Sequence, residues 1–469
     1  MRKFCILVSM IFLAPSLTLP SASAAGPSAG ALCSEIGSIK GLTGHKFTCV
    51  KSGKKLVWAK SASNQNSSNN SSSKPDSSAI SGSACNSTGE MKVVAGKRYL
   101  CQNPNHRDNF TWDNGTPTSF KAPMPITLPV VQSGAITFAN ALNHISEIPN
   151  TSWQRIQDII DKTPTAKVAH QLLVGPHTTT VTKTVEETIL SREFKLWSGF
   201  QQTKYLTVIA YNFADMDWAA TTYNKVVKAR SYPGGDDTQA GSNRAKQSCD
   251  IPSGNCDAGN AGQYGGTDEA IEFIGVTTAD PAHPWDPTQN GEVGHEYTHT
   301  VTSAQFIGTA SKNQNDYLHT FMPCWINEGL SQASGIGAST TSFQEYQGSR
   351  DGQVTNIHLG VTPKDFKGFT AAGLKDFLYS QIPNESLANS CYAGKGPTYQ
   401  LGYSIGFAAT EALFAIGGPH SVMALVARGA MGDSFSEAFQ NVYGISWDEG
   451  STILGQILAA EYAAKPMRS

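Results

Sequence analysis

The stretch Gly294-His295-Glu296-Tyr297-Thr298-His299 places two histidines four residues apart, with a glutamate directly after the first. On a helix, residues four apart project from one face. Both imidazoles can then reach one metal ion while Glu296 leans over its open side. The flanking residues suit a helix: Asp286 is an N-cap candidate, Pro287 fits the first helical position, and Gln289 can complete a capping box. Read without a metal, the same residues are two histidines on an ordinary surface helix. A third ligand separates the two readings, because catalytic zinc takes three protein ligands and leaves its fourth place to water.

Downstream, Trp325-Ile326-Asn327-Glu328-Gly329-Leu330 follows Pro323 and opens a second short helix. With H-E-x-x-H, this segment resembles the gluzincin clan of metallopeptidases, which includes thermolysin and the membrane alanyl-aminopeptidases. The resemblance implies a zincin-like catalytic domain, one zinc ion held by His295, His299 and Glu328, and Glu296 as the general base. A glutamate at a helix start can also serve only as a dipole partner. Tyr403-Ser404-Ile405-Gly406 is similar to the Y-x-x-G element of the aminopeptidase-like members, which implies that Tyr403 stabilises the oxyanion, with Tyr399 and His420 as substitutes. Among Leu401, Ile405 and Phe407, a tyrosine can equally be core. Ser436 to Trp447 resembles the closing helical segment of the same peptidases.

The chain also departs from that pattern. The gap between His299 and Glu328 is longer, and Gly308 to Thr320 reads as an insertion that brings His319 and Asp316 into consideration as ligands. Gln332 stands where thermolysin-like enzymes carry an aspartate that orients the first histidine, and its side-chain carbonyl only partly replaces a carboxylate. The aminopeptidases' G-x-M-E-N segment is absent, so an endopeptidase is expected. Gly265 to Thr277 stands in its place as an edge strand, and a peptide is expected to pair along Ile271 to Thr277. Metzincins, the other large H-E-x-x-H clan, continue with a glycine and a third histidine where this chain has Thr302 and Gln305.

Before this domain the chain repeats itself. Cys33, Gly37, Gly44, Cys49 and Trp58 are matched by Cys85, Gly89, Gly96, Cys101 and Trp112, and Phe47 coincides with Tyr99. Each unit is too small for a core of its own, so Cys33–Cys49 and Cys85–Cys101 bridges are expected to staple small β-hairpin modules. The organisation expected is a signal peptide at 1–24, module 1 at 25–60, a Ser/Asn-rich linker at 61–84, module 2 at 85–115, a Pro-rich linker at 116–129 and the metallopeptidase domain at 130–469. The fold class expected is α+β, a small mixed sheet with the active-site helix followed by a mostly helical lobe. Strands are expected at Lys167–Val174, Tyr205–Tyr211 and Ile271–Thr277, and helices at Thr151–Asp161, Thr184–Trp197 and Met216–Arg230. The Gly/Asp/Asn/Ser-rich stretch from Ser231 to Thr267 shows no periodicity. Asp236, Asp237, Asp250 and Asp257 in it offer oxygen ligands for Ca2+, although no calcium-loop spacing is visible.

Arg2 and Lys3, the apolar run Phe4 to Leu13 and Ala22-Ser23-Ala24 read as an export signal, interrupted by Pro15 and Pro20 as a membrane anchor would not be. Removing Cys5 with it leaves an even set of cysteines, as in an exported, disulfide-bonded protein. Cys249–Cys256 and Cys324–Cys391 are the remaining expected bridges. A net charge of −2 offers no field for nucleic acid. These features describe a secreted protein without membrane insertion after signal cleavage, whose modules serve attachment to a cell wall or surface. The expected activity is hydrolysis of a peptide or protein substrate. Two other classes stay open: an adhesion protein with a structural zinc site, and a zinc amidase acting on a wall cross-link.

Overall fold

The computed structural model describes residues 39–42, 45–52, 55–60, 80–86, 89–102, 110–130, 136–164, 166–179, 183–232, 238–264, 267–277, 287–310, 318, 320–355, 368–380 and 397–464. The chain divides into two compact units between Lys74 and Pro75. In the smaller unit β1 (Ile39–Leu42), β2 (His45–Ser52) and β3 (Lys55–Lys60) form an antiparallel meander. In the larger unit β4 (Met91–Val94), β5 (Lys97–Gln102) and β6 (Thr111–Trp112) repeat that order, and β7 (Thr116–Pro117) also pairs with β5. The registers coincide at the residues that define the repeat: Cys49 opposes Trp58, and Cys101 opposes Trp112.

Cys85 and Cys101 form a disulfide with Cα atoms 5.9 Å apart, and Tyr99, Cys101 and Trp112 make a small core beside it. Cys33 lies outside the described residues. The second repeat is packed onto the helical region that follows. Arg98 donates to the carbonyls of Ala430, at 2.8 Å, and Met431, and Thr116 Oγ1 accepts from the Ala310 N–H at 2.8 Å.

The main region begins with α1 (Ile148–Lys162), whose Ile148, Ile156 and Ile160 turn inward at helical spacing. Next come β8 (Ala169–Val174), α2 (Lys183–Leu196), β9 (Tyr205–Tyr211) and α3 (Met216–Ala229), the alternation read from periodicity. Then α4 (Thr238–Gln247), the hairpin β10 (Cys249–Asp250) and β11 (Asn255–Cys256), β12 (Gly259–Gln263) and β13 (Glu269–Gly275) complete a mixed sheet of order β12-β13-β9-β8. Strands β8, β9 and β13 are parallel, and β12 is antiparallel to β13. The Cys249–Cys256 disulfide closes the small hairpin.

Two expectations are corrected here. The stretch from Ser231 to Thr267 is not structureless, since it holds α4, the disulfide hairpin and β12. As a result the Ile271–Thr277 strand is not an edge: β13 is paired on both sides, and β12 forms the open margin. The sequence Gly259-Asn-Ala-Gly-Gln has neither β-branched residues nor apolar alternation, so propensity gave no sign of a strand that sheet pairing imposes.

The rest is helical: α5 (Pro287–Ala304), α6 (Cys324–Ser339), α7 (Phe343–Thr355), α8 (Ala371–Ser380), α9 (Pro397–Gly417), α10 (Pro419–Ala430), α11 (Phe435–Tyr443) and α12 (Trp447–Ala464). A Ser434–Glu437 capping box starts α11, and Gly444 at φ 76° ends it. One face of the sheet, with Ala270, Ile274, Leu206 and Val208, shares a core with Val293, Tyr297 and Val301 of α5. Ile271 and Phe273 face the other way, onto α3. Among the described residues no single helix is long and apolar enough to cross a membrane. The disulfides point to an oxidising compartment.

Candidate metal centre

Three helices build the centre, and glycines set their spacing. Where α5 crosses α6, a Cβ on Gly294 would come 3.1 Å from Gly335 Cα, and a Cβ on Gly335 would come 2.7 Å from the His295 nitrogen. Where α6 crosses α9, Gly329 faces Gly406 so closely that a Cβ there would overlap the Gly406 carbonyl. The glycine after Glu328 and the glycine three residues after Tyr403 are therefore contact points. They bring α9 against α6, as Gly294 and Gly335 bring α6 against α5.

The ligand atoms converge. His295 and His299 Nε2 lie 3.0 Å apart, and Glu328 Oε2 is 3.7 Å from the first and 3.2 Å from the second. These three side chains are the only group of three His, Cys, Asp or Glu among the described residues with metal-ligand spacing. Zinc with ligands at about 2.0–2.1 Å sets tetrahedral neighbours about 3.3 Å apart, and the observed distances bracket that value. Glu328 Oε2 is buried without a hydrogen-bond partner, an orphan that a cation would satisfy. The residues fit a divalent ion.

Surrounding groups aim the ligands. His299 Nδ1–H donates to Ser331 Oγ at 3.1 Å and lies 3.4 Å from Asn327 Oδ1, which leaves Nε2 as the lone-pair nitrogen. Asn327 Nδ2 donates to Glu328 Oε1 at 3.1 Å, so the Asn-Glu pair holds the carboxylate with its other oxygen toward the histidines. His295 is less well held. Gln332 approaches closely enough to favour its charged form, yet no hydrogen bond of good geometry reaches the buried Nδ1.

Burial and charge oppose one another across the group. Burial disfavours ionised Glu328, but His299 and His295 outweigh it and hold the carboxyl below its usual range. Burial likewise disfavours the His295 imidazolium, and Glu328 with Glu292 reverses the balance to raise it. Glu296 is pushed well up by burial, reinforced by Glu292 and Glu328 and opposed by His299. A bound cation inverts this logic at the imidazoles, which ligate only when neutral.

No protein-family model, curated protein or solved structure matches the chain. The geometry carries the functional reading.

Tyr403 stands at the centre: its ring stacks on His295 with centroids 6.0 Å apart and planes 8° from parallel. His420 does not. Its Nε2–H donates to the Leu196 carbonyl at 2.6 Å, and its ring packs on Trp197 and Phe200. The Tyr399 side chain, His319 and Asp316 lie outside the described residues, as do Asp286, Asp236 and Asp237. Cys324 is disulfide-bonded, with its partner outside them too.

Sequence reasoning missed the groups around Glu296. A Cβ on Gly259 of β12 would overlap the Glu296 carboxylate and come within 2.7 Å of Glu292 Oε1, so the edge strand touches Glu296 only because residue 259 lacks a side chain. Behind α5, Glu186 and Glu193 of α2 and Glu272 of β13 are fully buried, and five of their six carboxyl oxygens have no hydrogen-bond partner. Burial pushes Glu186 and Glu193 up to about 8. It pushes Glu272 well above the usual range, with Glu296, Glu193 and Glu186 adding to it. The signal was legible in part, since Glu272 interrupts the apolar strand Ala-Ile-Glu-Phe-Ile.

Proposed function

We propose that the chain is a secreted zinc-dependent endopeptidase of the gluzincin type, with a zincin-like catalytic region. The observation that carries the reading is the convergence of His295, His299 and Glu328 beside a buried Glu296 that faces the open strand β12. A structural zinc site would close its fourth position with Cys or His and has no use for a carboxylate there.

A substrate strand pairs with the outer edge of β12, which takes over the role expected of Ile271–Thr277, and β-augmentation carries its carbonyl to the three ligands. When bound, zinc supplies Lewis-acid chemistry, polarising that carbonyl and making water nucleophilic near neutral pH. Glu296 accepts the water's proton at its carboxylate and delivers it to the leaving nitrogen. Asn327 and Ser331 keep His299 in the tautomer that ligates. Tyr403, stacked beside His295, is placed to donate to the oxyanion.

The test is a mixture of unstructured peptides treated with the zinc-loaded mature protein, with Glu296→Gln run beside it. Wild type is expected to cut internal bonds, and the variant to keep its zinc while losing about 10²–10⁴ in rate. Wild-type turnover by Glu296→Gln would sink the mechanism. Absence of cleavage by wild type would move the reading to a non-peptide amide.

A further inference from the structure

We propose that the second repeat is a clamp for the metal centre, in which Arg98 and Thr116 are positioning residues that hold the segment joining His299 to Glu328. The proposal rests on the metal-centre reading above. The two histidines stand on α5 and the third ligand on α6, and the connection between these helices includes the Gly308 to Thr320 insertion. A longer connection constrains its two ends less. The second repeat meets both ends of this one.

At the α5 end, Thr116 Oγ1 accepts from the Ala310 N–H at 2.8 Å. Phe120, just beyond β7, lies against Gly308, where a Cβ would approach its ring to 3.3 Å. At the α6 end the grip runs through α10. The Arg98 guanidinium donates to the carbonyls of Ala430, at 2.8 Å, and Met431, and a cation suits that helix C-terminus. Gly432, at φ 101°, makes room for it, since a Cβ there would overlap the guanidinium. One turn back, Gly429 lies on Phe321 and Met322, the residues that lead through Pro323 into α6. Leu100 of β5 is buried in the core that also holds Phe306, Phe321 and Met322. The first repeat carries different residues at all three docking places. Counted from the second cysteine, Arg98 and Leu100 correspond to Lys46 and Thr48, and counted from the tryptophan, Thr116 corresponds to Ala62. The cysteines and the tryptophan common to both copies serve each module's own fold, whereas Arg98, Leu100 and Thr116 belong to one copy and serve the contact.

The experiment compares the mature protein with two clamp variants and a control. One variant is Arg98→Met, and the other combines Arg98→Lys with Thr116→Ala, the first repeat's residues at both polar contacts. Leu100 stays in both, so the repeat keeps its place in the core. The control, Val227→Ala, costs stability in the separate core under α3. Zinc affinity is read by competition with a chromophoric chelator, and ligand geometry by the visible spectrum of the Co2+ form. Both clamp variants are expected to lower zinc affinity about tenfold, the low end of what ligand-positioning partners contribute. They are also expected to weaken the tetrahedral cobalt band at saturating Co2+, while Val227→Ala changes neither reading. Unchanged affinity and spectrum in both clamp variants overturn the clamp and leave the metal centre standing, and an equal fall in the control does the same. Wild type that binds zinc no better than His295→Ala sinks the metal-centre reading, and the clamp with it.

Discussion

Around Arg350, Glu411 and Glu461 are buried in ion pairs, whereas Glu186, Glu193 and Glu272 are buried behind α5 without an ion pair among the described residues. Arg350 Nε donates to both Glu411 oxygens at 2.9 and 2.8 Å, its Nη2 lies 3.0 Å from Glu461 Oε1, and Tyr346 donates to Glu411 at 2.7 Å. Burial alone would lower the guanidinium pKa, and the two carboxylates outweigh it. Behind α5 burial outweighs the Arg192 charge that faces Glu193 and raises all three acids, Glu186 and Glu193 to about 8 and Glu272 well above the usual range. The candidate metal centre, on the same helix, stands between the two cases, with histidines holding the Glu328 carboxyl below its usual range. A buried acid thus becomes a structural anion, a neutral acid or a ligand according to what the chain places beside it.

The largest effect comes from breaking the paired region. Arg350→Met fills a similar volume but leaves Glu411 and Glu461 buried without a countercharge, and removing one partner of such a pair costs about 3–5 kcal/mol. Denaturant unfolding of the two proteins at pH 7 reads this directly. A loss below about 1 kcal/mol would mean that the carboxyls relax by taking up protons, which would make the two regions alike.

The unpaired region is broken by pH. Below about 4.5 Glu186 is protonated in both folded and unfolded chains and contributes no difference. Between there and its folded value of about 8 the unfolded chain releases the proton while the folded one keeps it, so stability falls as pH rises and levels off above that value. Glu186→Gln removes the ionisation. It is expected to lie within about 1 kcal/mol of wild type at pH 4.5 and to be more stable by a few kcal/mol at pH 8. Unfolding with a chelator present keeps metal binding out of the comparison. Parallel pH dependences for the two proteins would show that Glu186 has a partner after all.

These contrasts also mark what the letters could carry. Spacing alone put His295 and His299 on one helical face with Glu296 next to them, because i and i+4 geometry is local. Glu328 was reachable through the pattern around it, and Asn327 and Gly329 prove to be working parts of that pattern, one holding the carboxylate and one admitting α9. The edge strand was not reachable. Gly259 to Gln263 has no strand propensity, and its pairing depends on β13, which only the folded sheet supplies. Glu292 was hidden for a related reason: on α5 it reads as one more helix glutamate, and its neighbour Gly259 belongs to that unread strand. The five orphaned carboxyl oxygens were hidden too, because burial of Glu186 and Glu193 depends on α2 packing behind α5.

The smallest effect sharpens the front of the comparison. His299 is oriented through Nδ1 by Ser331 and Asn327, while the buried Nδ1 of His295 meets only the approach of Gln332. Gln332→Glu keeps the shape and supplies an acceptor, turning a poorly held ligand into one held by a carboxylate. Partners of this kind are worth about 10–100-fold in metal affinity elsewhere, and here the gain is expected at the low end, about tenfold, because Gln332 already stands in place. The new carboxylate also raises the pKa of His295, so a proton competes harder for Nε2. The gain in zinc affinity should therefore be larger at pH 8 than at pH 6, as read by competition with a chromophoric chelator. Equal affinity of variant and wild type at both pH values would mean that position 332 does not orient His295, and that α5 packing against Gly335 fixes the first ligand by itself.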